Sequence, residues 1–71
     1  MLLGRHQACD LVLADQTVSR RHARLVFRDG SWMLQDLKST NGTIVNGMRV
    51  GRCVLEPGDR LTLGNQQLKI D

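Results

Sequence analysis

Apolar and polar residues alternate along this chain in short stretches, each interrupted by glycine, asparagine or proline before a helical period is established. Ala23, Leu25 and Phe27 fall on one face of a stretch whose other face carries Arg24, Val26 and Arg28, the two-residue period of a β-strand. Asp29-Gly30 separates that stretch from Ser31 to Leu37, which predicts a hairpin in which Trp32 and Leu34 extend the same core face. A second hairpin is predicted where Thr43-Ile44-Val45 and Met48-Arg49-Val50 flank Asn46-Gly47. Pro57-Gly58 marks a turn ahead of Arg60 to Leu63, and Leu68 and Ile70 share one face of a terminal strand. Leu11-Val12-Leu13 is a further short apolar run. No segment joins helical periodicity to the length a stable helix needs. The expectation is a single all-β domain over residues 1–71, folded as a compact antiparallel β-sandwich in preference to a barrel.

A chain of 71 residues supports one small core, because at this size only roughly 60% of the unfolded surface is buried on folding. Cys9 and Cys53 could pair at most once, and no secretory signal accompanies them; buried free thiols in a reducing, cytoplasmic or otherwise intracellular setting are expected. No apolar stretch approaches the roughly 18 residues of a membrane span. The formal net charge of +3 favours anionic partners. Nucleic acid is not the expected partner, since Phe27 and Trp32 are the sole aromatic residues and no basic stripe interleaves with stacking platforms.

Chemistry concentrates in Ser39-Thr40-Asn41-Gly42-Thr43, followed by Val45-Asn46-Gly47, which crowd small polar groups and glycine turns into what reads as one loop rim. Gly4-Arg5 and Ser19-Arg20-Arg21-His22 supply guanidinium, hydroxyl and imidazole groups at the ends of other apolar segments. Brought together, these are donors suited to an oxyanion. Ser19, His22 and Asp36 are residue types found in hydrolases, but no nucleophile-elbow pattern surrounds them, so an enzyme is not expected. His6, Cys9, His22 and Cys53 lack the spacing of a closed zinc site, and neither a metal nor a cofactor is expected.

The ordered set Gly4-Arg5, Ser19-Arg20-Arg21-His22, Asp36-Leu37, Ser39 to Thr43, Val45-Asn46-Gly47 and Gly58-Asp59 resembles the forkhead-associated (FHA) domain family over nearly the whole chain. The resemblance implies an antiparallel β-sandwich that recognises phosphothreonine in a partner peptide. By matching motifs, Arg5 and Ser19 look like central phosphate ligands, Arg20 like an additional phosphate or peptide contact, and Thr40 like a phosphate-loop residue. Asn41 looks like a clamp on the peptide backbone, while His22, Asn46 and Gly47 look like architectural loop residues. Arg21 reads as a surface arginine outside the primary site. Because Gly4-Arg5 falls almost at the start, the family's preceding strand segment is expected to be missing. An unpaired edge invites augmentation, so the alternative expectation is a non-enzymatic homo-oligomer joined through a β-edge.

Overall fold

The computed structural model describes Met1–Ile70 and contains strands joined by turns and loops. They are β1 (Leu2–Gly4), β2 (Leu11–Val12), β3 (Ala23–Arg28), β4 (Ser31–Asp36), β5 (Thr43–Val45), β6 (Met48–Val50), β7 (Arg52–Leu55), β8 (Arg60–Leu63) and β9 (Gln66–Lys69). A five-stranded sheet in the order β2-β1-β3-β4-β7 faces a four-stranded sheet in the order β6-β5-β8-β9. Leu3, Ala23, Leu25, Leu34 and Leu55 from the first sheet meet Val45, Leu61 and Leu63 from the second, and the loop residues Leu13 and Val18 complete the buried cluster. Leu68 and Ile70 pack against this core, on the shared face expected of them.

The turns form where the dipeptides predict them. Asp29 and Gly30 have φ of 53° and 80°, and Asn46 and Gly47 have 51° and 84°, the paired positive values of two-residue hairpin turns. The Glu56 carbonyl accepts the Asp59 N–H across Pro57-Gly58 at 3.1 Å.

Three features depart from the expectation. First, β1 and β2 pair in parallel, Leu3 opposite Leu11 and Gly4 opposite Val12, in an otherwise antiparallel sandwich. Parallel strands ordinarily need a long crossover; here β2 is so short that the intervening loop simply doubles back, held by Asp10 N–H on the Leu2 carbonyl and Leu13 N–H on the Gly4 carbonyl. Second, Phe27 and Trp32 lie on the core face but remain 58% and 44% exposed. The β3–β4 hairpin runs for six residue pairs whereas the opposing strands hold three or four residues, so its tip extends past the second sheet and the two rings pack edge-to-face on each other at 5.1 Å. Third, Arg52–Leu55 is a separate strand that pairs with β4 in the first sheet, with Gly51 alone separating it from β6 in the second. Both cysteines are free, Cys9 buried and Cys53 half-buried, and burial pushes the Cys53 thiol above its ordinary pKa with help from the nearby Asp59 charge.

Candidate functional site

One end of the sandwich gathers the β1–β2, β2–β3 and β4–β5 loops, and a buried imidazole joins the last two. His22 is fully buried. Its Nδ1 accepts the Ser19 backbone N–H at 3.0 Å, and its Nε2 lies 2.7 Å from the Gly42 carbonyl, an acceptor that requires Nε2 to carry the proton. The backbone of the same residue donates to Leu3 and accepts from Leu37, so His22 ties both loops to β1.

Asp36 holds the next loop. It sits at the end of β4, where its carboxylate accepts from Ser39 Oγ, from the Ser39 N–H at 3.2 Å and from Thr43 Oγ1 at 2.7 Å. Thr43 is fully buried on the opposing sheet, so this bond fastens the two sheets together beneath the Ser39–Gly42 loop. Burial acts to raise the Asp36 pKa, but hydrogen bonds from Ser39 and Thr43 outweigh it and leave the carboxyl below its ordinary value of 3.8.

On this seat the polar side chains face outward. Arg5 N–H donates to the Ser19 carbonyl and Arg5 Nε to the Val18 carbonyl, both at 3.0 Å, which anchors the guanidinium through one nitrogen and leaves its two terminal amino groups free. Gly4 has to be glycine for this approach, because a Cβ there would overlap the Arg20 carbonyl oxygen. Ser19 Oγ accepts the Thr40 N–H at 3.0 Å and keeps its own hydroxyl proton to donate. Thr40 is exposed beside it. Asn41 spends one N–H of Nδ2 on the Thr17 carbonyl at 2.7 Å and retains its Oδ1 acceptor. Thr17 is itself fixed by the Asp15 carboxylate, whose pKa is lowered by the bonds from the Thr17 side chain and backbone and from Gln66.

Residues 1–64 match the FHA domain family. The chain belongs to that family. Among its relatives, an oxoglutarate dehydrogenase inhibitor of Corynebacterium diphtheriae is 45% identical over 92% of the chain. The glycogen accumulation regulator GarA of Mycolicibacterium smegmatis is 43% identical over the same share, and the ABC transporter ATP-binding/permease protein Rv1747 of Mycobacterium tuberculosis is 42% identical over 93%. The chain spans 46%, 41% and 8% of those three proteins, less than half of each. A solved FHA structure, from work on phosphothreonine-dependent FHA domain interactions, superposes with a TM-score of 0.93 at 38% identity, covering 96% of this chain and 71% of that one. The FhaA FHA domain complexed with the intracellular domain of Rv3910 gives 0.90 at 39%, covering 93% and 72%. EmbR of M. tuberculosis in complex with a low-affinity phosphopeptide gives 0.92 at 30%, covering 96% and 18%.

In this FHA domain, Arg5, Ser19, Arg20, Thr40 and Asn41 stand together at one end of the sandwich. Asn46 and Gly47 do not join that rim. They lie beyond the other end of β5, three strand residues away from the Ser39–Gly42 loop, because a strand and not a continuous loop connects the two polar runs. There Asn46 Nδ2 donates to Asp59 Oδ1 at 3.0 Å and Asn46 Oδ1 accepts the Arg60 N–H at 2.9 Å, while Asp59 also takes the Glu56 N–H. The bonds from Glu56 and Asn46 lower the Asp59 pKa. The organising role of Asp36 was missed in the sequence; its signal was the Asp-x-x-Ser spacing to Ser39, which is the reach of a side chain capping its own turn.

Proposed function

We propose that this FHA domain is a non-enzymatic module that binds a phosphothreonine-containing peptide and so makes a protein interaction depend on phosphorylation. The carrying observation is the set of unspent donors on a rigid seat: the Arg5 terminal amino groups and the Ser19 hydroxyl, whose other bonds are already made. A phosphothreonine brings about −1.5 to −2 charge and three acceptor oxygens. Arg5 supplies the planar cationic fork, Ser19 and Thr40 supply short hydroxyls, Arg20 adds charge, and Asn41 offers Oδ1 to the peptide backbone. The phosphothreonine-dependent interactions of a structural neighbour and the phosphopeptide bound by EmbR support this assignment. Binding without chemistry also fits His22, since both ring nitrogens are engaged by backbone groups and neither is placed to deprotonate Ser19 Oγ. Titrating matched phosphothreonine, phosphoserine and unmodified threonine peptides from a varied library tests the reading. Preference for phosphothreonine is expected; equal affinity for all three across the library contradicts it.

A further inference from the structure

Beside the proposed phosphothreonine seat lies a recess of about 390 Å³ lined by His6, Arg20 and Arg21, two of which have no part in that seat. Its position follows from backbone pairing. Arg5 N–H bonds the Ser19 carbonyl and His6 N–H bonds the Arg20 carbonyl, so the two segments run side by side with Arg5 beside Ser19 and His6 beside Arg20. The recess is therefore one residue step further along the same two segments, on the order of 4 Å in backbone distance.

Its backbone is fixed and its side-chain donors are unspent. The Arg20 carbonyl is held from two sides, by His6 N–H at 3.2 Å and by the buried Cys9 thiol at 3.2 Å. His6 Nδ1 accepts the Ala8 N–H at 2.9 Å, which leaves Nε2 as an outward N–H donor. Among the described residues, the guanidiniums that donate within the chain are those of Arg5 and Arg24; Arg20 and Arg21 are exposed with their forks available. Two guanidiniums and an imidazole N–H around one recess constitute an anion site without an internal anion.

We infer that the His6–Arg20–Arg21 recess is a second anionic subsite, which takes a carboxylate or a second phosphate carried within about two residues of the phosphothreonine on the same peptide. The inference rests on the phosphothreonine reading above. It makes the preferred ligand class an acidic or doubly phosphorylated segment and not an isolated phosphothreonine in neutral sequence.

The test is a set of synthetic phosphothreonine peptides that are otherwise neutral, with one glutamate or one further phosphothreonine moved through the three positions on each side. Affinities are measured by calorimetry for the unsubstituted chain, for the His6→Ala/Arg21→Ala double variant and for Arg28→Ala, which removes a charge at the far hairpin. A gain of about five- to tenfold at one near position is expected for the unsubstituted chain. The double variant should lose that gain while Arg28→Ala retains it, with thermal unfolding confirming that both variants fold. A gain from glutamate and phosphothreonine alike identifies a general anion site, and a gain from phosphothreonine alone identifies a second phosphate site. Binding of the singly phosphorylated peptide with no gain at any position, or a gain that survives in the double variant, overturns the subsite and leaves the phosphothreonine reading intact. Failure of every phosphopeptide to bind overturns both.

Discussion

The two ends of the sandwich use the same residue types to opposite effect. At the Asn46–Gly47 end, a carboxylate and an asparagine consume one another: Asn46 bonds Asp59 and Arg60, and Asp59 bonds Glu56 as well. At the other end, Asp36 and His22 absorb the backbone and short hydroxyl groups of the loops, while Arg5, Ser19, Arg20, Thr40 and Asn41 keep donors or acceptors facing solvent. One end closes its hydrogen-bond account and the other leaves it open. A polar loop is thus a candidate binding site when buried groups fix its backbone and its outer side chains remain unsatisfied.

The largest effect should come from removing what seats the open end. His22→Ala leaves a cavity and strands the Ser19 N–H and the buried Gly42 carbonyl. A destabilisation of about 3–4 kcal/mol is expected, against a total of roughly 4–10 kcal/mol for a domain of this size. Denaturant unfolding measures it, and a loss below about 1 kcal/mol would show that the imidazole is not the link between the loops.

Asp36→Asn is a milder break. It retains the shape but weakens three charge-assisted bonds to Ser39 and Thr43, with an expected cost of about 1–2 kcal/mol and a loss of phosphopeptide affinity through loop disorder. The same group sets an acid limb. The Asp36 pKa is depressed in the folded state, so its stabilising contribution is complete above the unfolded value and is lost as pH falls through the folded one. Asp15 and Asp59 are lowered in the same direction. Unfolding followed from about pH 5 to pH 2 should show declining stability below about pH 4, with a shallower decline in Asp36→Asn.

The smallest effect is expected at the exposed hairpin tip. Phe27 is 58% exposed, so Phe27→Ala should cost about 1 kcal/mol or less, well under the roughly 3–5 kcal/mol of a buried phenylalanine, and leave peptide affinity unchanged. Parallel unfolding and binding curves check both statements.

What the sequence made legible was local. Period-two stretches and the Asp29-Gly30, Asn46-Gly47 and Pro57-Gly58 turns located the hairpins, since those dipeptides carry their backbone geometry with them. The Arg5, Ser19, Arg20, Thr40 and Asn41 set came from the resemblance of its motifs to the FHA family, and its phosphate-binding role is the proposal tested below. Less legible were consequences of sheet assembly. Strand β7 hides behind Gly51, and β1 is too short to show a period. Phe27 and Trp32 alternate correctly but outrun the opposing sheet, a matter of relative strand length. The separation of Asn46 from the site depends on Thr43 to Val45 being a strand, so two polar runs adjacent in sequence project from opposite ends. The His6–Arg20–Arg21 recess likewise exists through the pairing of two loop backbones.

The contrast between the ends is tested most directly by measuring phosphothreonine-peptide affinity and unfolding free energy together in Arg5→Ala and Asn46→Ala. Arg5→Ala should weaken binding by about 100-fold, because charge-assisted bonds to the phosphate are lost, while stability falls by about 1 kcal/mol or less for the single bond to Val18. Asn46→Ala should do the reverse, costing about 1–2 kcal/mol of stability by emptying a positive-φ turn of its side-chain bonds, with affinity unchanged within about twofold. A crossed result of this kind is what the account predicts; an Arg5→Ala protein that keeps full phosphate selectivity, or an Asn46→Ala protein that folds normally yet loses the peptide, contradicts it.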